Sequence, residues 1–223
     1  MLKVRRPLPL NVIGRVVRRR NRDLVVALSR RHDPTALNTD LPSDEVFTIT
    51  EFEVVVSSGF ADMRVRARGE EEEWLGERRG PRWWVAGSDM IIWGDDTART
   101  TIGSFDLIDC LLDSSWLEED LLLDSGIATT VAGRPALKRT GKSAVGLVPG
   151  LSILVGVAEV FEVCVDQRTG SILRARSLLE SGTLVSEVAF SEFATVEQLP
   201  DDVFTWEWPA GLPLMHCDDP SLR

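Results

Sequence analysis

The sequence predicts a mainly β, α+β protein built on a curved antiparallel sheet, and three observations lead there. From Glu45 onward apolar residues alternate with polar ones at a period of two. Three C-terminal runs of this kind, AEVFEVCVD, SILRARSLLE and LVSEVAFSEF, are separated only by the turns Asp166 to Gly170 and Ser181 to Thr183. Connections that short force neighbouring strands to pair antiparallel. Four tryptophans, Trp74, Trp83, Trp84 and Trp93, fall on three successive strands, a large aromatic set for one sheet to accommodate.

Taken in order, residues 1–44 read as a basic arm and linker. Ile13, Val16, Val17, Leu24, Ala27 and Leu28 recur at helical spacing between arginines, which predicts one amphipathic helix over residues 12–31 with a break near Asn21. Residues 32–44 carry two prolines and several turn formers and read as a loop. Residues 45–210 form the sheet domain. Phe47 and Ile49, then Phe52, Val54 and Val56, then Met63, Val65 and Ala67 mark strands with one buried and one solvated face. The runs around Trp74, around Trp83 and Trp84, and up to Trp93 continue a meander, with the acidic run Glu70 to Glu73 as a solvated strand start or hairpin tip. Ser104 precedes Phe105, Leu107, Ile108, Leu111 and Leu112, the spacing of a short helix capped by that serine. A less regular middle leads to the three hairpin-joined strands and a last strand, VFTWEW, from Val203. Pro209, Pro213 and Pro220 then turn residues 211–223 into a tail.

The 223 residues are 43% hydrophobic and 27% charged, a globular composition that supports one sizeable core. No apolar run approaches the ~18 to 20 residues of a membrane-spanning helix. Beyond the basic residues Lys3, Arg5 and Arg6, the chain is interrupted by Pro7, Pro9, Asn11 and Gly14, so no signal-peptide core forms and the chain as it stands is expected in the cytoplasm. Charge is unevenly spread. From Met1 to Arg31 ten basic residues face one acidic one, a local +9 that leaves −19 on the rest of a chain whose net charge is −10. Opposite fields predict an arm docked on its own body, with a protein partner for Met1 to Arg31 as the alternative; the acidic body argues against nucleic acid. Cys110, Cys164 and Cys217 are too widely and irregularly spaced for a disulfide framework or zinc motif and read as thiols, the first two buried.

Chemistry-bearing patterns are sparse. His32 and His216 fall in linker and tail, away from any cysteine or carboxylate cluster at ligand spacing, so no metal site is expected. No nucleophile elbow is present, and Ala136 to Ser143 (ALKRTGKS) meets the relaxed phosphate-loop pattern without the strand before it and helix after it that the mechanism requires. Glu118, Glu119, Asp120 and Asp124 interleave with leucines as a solvated face beside a buried one. The expectation is no catalytic residue, no cofactor and no metal. Adjacent Trp83 and Trp84 must point to opposite faces of a strand, so one of them faces a second layer, a ligand or a partner.

Val165, Asp166, Thr169 and Gly170 form a V-D-x-x-T-G hairpin, Arg174 stands on the next strand, and Leu199, Pro200, Asp201 and Phe204 form an L-P-D-x-x-F segment. In this order the C-terminal half resembles the lipoprotein-carrier-like superfamily, the lipoprotein localisation factors and their relatives. The resemblance covers residues 45–210 in strand order, with its motifs between Val131 and Trp206. It implies an unclosed β half-barrel with helices packed on its concave face, around an apolar cavity that in carriers holds acyl chains. The resulting expectation is a non-enzymatic binding module for an apolar small molecule or acyl chain, lined by Phe52, Val54, Val65, Trp74, Trp84, Trp93, Phe161, Leu173 and Phe190. The alternative is a protein-interaction or regulatory domain whose cavity is filled by its own helix.

Overall fold

The computed structural model describes residues 10–31, 46–70, 73–95, 105–143, 153–155, 158–204 and 207–219. The strands are β1 (Asn11–Arg20), β2 (Thr48–Val56), β3 (Asp62–Gly69), β4 (Glu73–Arg79), β5 (Arg82–Ala86), β6 (Ile91–Gly94), β7 (Leu121–Leu123), β8 (Ile127–Val131), β9 (Arg134–Ser143), β10 (Val160–Asp166), β11 (Ile172–Leu178), β12 (Leu184–Val196) and β13 (Leu214–His216); the helices are α1 (Arg22–Arg31), α2 (Phe105–Leu112) and α3 (Leu117–Asp120). They form one open, curved sheet in the order β13-β6-β5-β4-β3-β2-β1-β12-β11-β10-β9-β7, with β8 also paired to β9. All pairs are antiparallel except β13 with β6. Two meanders, β1–β6 and β7–β12, are thus sewn together where β12 returns beside β1.

The N-terminal segment corrects the helical expectation. Residues 11–20 are the central strand β1, paired over its length with β12 on one side and β2 on the other; helix begins only at Arg22. The apolar spacing misled because Val12, Gly14, Val16 and Arg18 share one face, and the glycine hides the period of two. The missing side chain has a use: a Cβ at Gly14 would meet the Glu192 carbonyl at 2.8 Å and the Phe190 ring at 3.0 Å, beside a bulge between Arg15 and Val16. Phe190 covers the gap, standing edge-on to Phe193 at 4.8 Å. Buried Asn21 makes the break that the sequence suggested. Its amide donates to Val185 O, and its side-chain oxygen accepts from Leu24 N at 3.0 Å, capping α1.

The face carrying Val12, Val16, Phe52, Val54, Val56, Met63, Val65 and Ala67 is concave and buried, and α1 and α2 pack on it through Leu24, Leu28, Phe105, Leu107, Ile108 and Leu111. The convex face carries charge. Lys138, Glu162, Arg176, Glu187 and Arg19 line up across β9–β10–β11–β12–β1, with Lys138 Nζ 3.0 Å from Glu162 and Arg176 paired to both Glu162 and Glu187.

Elsewhere the middle is more regular than expected. Residues 121–143 supply β7, β8 and β9, and the phosphate-loop look-alike is simply the body of β9. Val203, Phe204, Glu207 and Trp208 are not in a strand, while the expected tail contributes β13. Cys164 is buried, whereas Cys110 and Cys217 are half-buried; all three are free thiols. The linker over residues 32–44, Ser104, and Glu71 and Glu72 lie outside the described residues.

The β10–β11 hairpin is held by Asp166. Its carboxylate accepts from Arg134 Nε (2.5 Å), Thr169 N (2.7 Å) and Arg168 N (2.9 Å). Burial opposes its ionisation, but these hydrogen bonds outweigh it and hold the carboxyl below the usual carboxylate range. With the folded value below the unfolded one, this contribution is complete above about pH 4 and is lost as pH falls through the folded value. Asp166→Asn is therefore expected to cost about 1–3 kcal/mol near neutrality, with the gap to the parent closing below about pH 4; urea unfolding across pH measures it. Gly14→Val should cost a further, pH-independent 1–3 kcal/mol or so by overpacking against Phe190, read from the same curves.

Candidate functional site

Helix α2 sits on the concave face as a plug. Of its eight residues Phe105, Leu107, Ile108, Asp109, Leu111 and Leu112 are buried, so it is apolar around most of its circumference. Gly76 of β4 makes its seat: a Cβ there would lie 2.8 Å from the tip of Phe105. Trp74, two residues earlier on the same face, meets Phe105 edge-on at 6.2 Å and Phe52 at 6.3 Å.

One polar contact ties the plug to the sheet. Arg78 of β4 donates to both carboxylate oxygens of Asp109, at 2.7 and 2.8 Å, and to Phe60 O at 3.3 Å. Both side chains are nearly inaccessible, at 5% and 7%. Two charges in such a place are tolerated only because each completes the other's hydrogen bonding; either alone is a buried, uncompensated charge.

The plug does not reach the whole concave face. At its C-terminal end a cavity of about 600 Å³ opens over β9 and β10. Leu112, Leu117, Leu137 and Val165 are its apolar lining, and Asp113, Ser115, Glu118, Arg139 and Thr169 are among its polar groups. Leu137 and Arg139 stand opposite Val165 and Val163, which places them on the concave face. Arg139 is anchored there: its Nε donates to Asp124 O at 2.8 Å, and its guanidinium pairs with Glu118, whose side chain is 70% exposed.

The nine expected lining residues fall into two groups. Phe52, Val54, Val65, Phe161, Leu173 and Phe190 are buried in the main concave core, and Trp74 packs against it. Trp84 and Trp93 lie elsewhere. Trp84 joins Ala86 and Ile91 in a second cluster on the convex side, under Leu75, Trp93, Trp208 and Leu212. Trp83 is the member of the pair that enters the concave core. Strand alternation required that split but did not say which neighbour took which face. None of the nine lines the 600 Å³ cavity. Arg139 and Leu137 went unrecognised because they lie inside the phosphate-loop look-alike; the alternation of Leu137, Arg139 and Gly141 was the available signal. The placement of His216 away from other ligands is also corrected: His216, Cys217 and Asp218 bring a donor atom each within 4.8 Å of one another. Among the described residues no helix is long and apolar enough to cross a membrane.

No family model matches the sequence, and no curated protein matches it. Among solved structures, MucB is 19% identical with a TM-score of 0.52, covering 91% of this chain and 58% of its own. The structure of MucB in complex with MucA(peri) is 18% identical with a TM-score of 0.50, covering 91% and 56%. An uncharacterized conserved protein from Thermus thermophilus is 12% identical with a TM-score of 0.52, covering 94% and 91%. The chain thus spans little more than half the length of MucB. At these identities the likeness is one of fold. That fold is a single open, curved sheet with helices on its concave face.

Removing half of the buried pair should loosen the plug. Asp109→Asn is expected to cost about 3–5 kcal/mol, and the double replacement Arg78→Met with Asp109→Leu to recover most of it; thermal or urea unfolding of the three proteins measures both.

Proposed function

We propose that this protein is a non-enzymatic binding module for an apolar molecule carrying an anionic head, such as a free fatty acid. The observation that carries the reading is the part of the concave face that α2 leaves uncovered. Its volume of about 600 Å³ lies within the size of small-molecule sites, roughly 300–1,000 Å³. Its chemistry is divided, with leucine and valine side chains for a chain or ring and one anchored guanidinium, Arg139, for a carboxylate. Glu118 occupies that guanidinium from an exposed position, so an incoming carboxylate exchanges one ion pair for another and returns the Glu118 carboxylate to water. Longer ligands extend under α2, over the surface lined by Phe161 and Leu173, when the plug shifts.

A second reading has its own observation. Complete burial of Phe52, Val54, Val65 and Phe161 describes a concavity filled by its own helices, as in an interaction domain. MucB was solved in complex with MucA(peri). In that reading residues 11–20, committed to the sheet, are not the partner surface; the exposed side of α1, with Arg22, Val26 and Arg30, is.

Titration of the full chain with a fluorescent fatty acid separates the two. Saturable uptake is expected, tightened about tenfold by Glu118→Gln, which releases the guanidinium, and weakened by a similar factor in Arg139→Met, in line with about 1.5–3 kcal/mol for a hydrogen bond to a charged group. No uptake by any of the three, and no lipid extracted from the purified protein, leaves the interaction reading.

A further inference from the structure

The turn that follows β13 places three chemically different metal donors side by side. His216 ends β13, Cys217 and Asp218 make the turn, and the Asp219 amide closes it by donating to His216 O at 2.9 Å. A ring nitrogen, a thiol sulfur and a carboxylate oxygen from the three residues lie within 4.8 Å of one another. The neighbouring strand β6 positions two of them. The His216 ring stands edge-on to Trp93 at 4.6 Å, and the Cys217 amide donates to Trp93 O at 2.9 Å. The Cys217 sulfur occupies space that a side chain on Gly94 would need, since a Cβ there would come within 2.9 Å of it. The Nδ1 of His216 faces the group: it accepts a long hydrogen bond from Asp218 N at 3.3 Å and lies 3.8 Å from Asp218 Oδ2.

We propose that His216, Cys217 and Asp218 form a binding site for a borderline divalent metal ion of the zinc class. A purely acidic cluster would favour hard cations, whereas one nitrogen, one sulfur and one oxygen donor select zinc and its neighbours. Bonds of about 2.0–2.3 Å to a tetrahedral ion put the donors about 3.5 Å apart, so the set closes by roughly 1 Å from its widest spacing. Asp218, the exposed member, supplies most of that movement through its side-chain torsions. Three protein donors leave a fourth position for water or an incoming ligand. On binding, the thiol gives its proton to solvent as the sulfur–metal bond forms, and the carboxylate and imidazole bind without a change in covalent structure. The loaded turn pins the three-residue strand β13 to the edge of β6.

The test is a titration of the reduced full chain with cobalt(II), followed by zinc. One equivalent of cobalt should produce a thiolate-to-cobalt charge-transfer band that zinc bleaches. The band should vanish in Cys217→Ser and persist in Cys110→Ser and Cys164→Ser, while His216→Gln and Asp218→Asn each weaken binding by about tenfold or more. Circular dichroism reports whether each variant is folded; if Cys217→Ser is not, the His216 and Asp218 variants decide. No band at stoichiometric cobalt, a band that survives in folded Cys217→Ser, or affinity unchanged in both His216→Gln and Asp218→Asn overturns the site.

Discussion

The pairing of β1 with β12 is the constraint on which the rest of the structure depends. The chain builds two antiparallel halves in succession, and nothing in the connections within either brings one beside the other; ten opposed residue pairs between Asn11–Arg20 and Ser186–Val196 do. Contacts this distant in sequence must offset a large loop-closure cost before they contribute anything. Register therefore has to be specified by more than backbone hydrogen bonds, because a slip of one residue would turn Val12 and Val16 out of the core. Gly14 and its bulge accept Phe190 at one place along the seam. Further bonds hold it at the ends, where the Asn11 side chain donates to Val196 O and Glu197 O, and the Asn21 backbone amide donates to Val185 O.

Charge supports the same register from the other face. Among the described residues, Arg15 and Arg19 of β1 stand opposite carboxylates on the neighbouring strands. Arg15 is opposed by Glu192 on β12 and Glu53 on β2, and Glu53 in turn pairs with Arg68 at 3.8 Å. Exposed pairs of this kind stabilise by about 0–1 kcal/mol each. Their effect lies in the alternatives they penalise: shifted by two residues along β12, Arg15 and Arg19 would keep the convex face but face Ala194 and Ala189 in place of Glu192 and Glu187.

How much of this was legible depends on the physical basis of each signal. Strands with one solvated face declare themselves by alternation, so β2, β3 and β10–β12 were readable, and α2 was readable from Phe105, Leu107, Ile108, Leu111 and Leu112. β1 was not, because glycine and arginine at positions 14 and 18 occupy core-facing places that a pattern search expects to be apolar. Arg18 there lies over the Phe52 ring at 5.4 Å, an arrangement only the fold reveals. The buried Arg78–Asp109 pair was invisible for the same reason: each residue reads as surface until its partner, 31 positions away, is placed beside it. Proline content argued for a tail at residues 211–223, yet three residues between Pro213 and Pro220 sufficed for a parallel edge strand.

A concave sheet must cover its apolar face, and this chain covers it unevenly. Where Gly76 admits Phe105, the plug lies close and the core is complete. Toward β9 the concave positions change from Phe161 and Val163 to Gly141, Arg139 and Leu137, and of these Gly141 is too small and Arg139 too polar to draw a helix down onto them. A guanidinium at Arg139 cannot be buried by an apolar helix without a partner, and the chain meets that demand with Glu118 and the Asp124 carbonyl from the segment just beyond the plug. The cavity is thus a consequence of the residues in β9: the plug ends where the sheet beneath it becomes charged, and what remains open is a surface part apolar and part polar, in which Arg139 is the one cationic group among the lining residues.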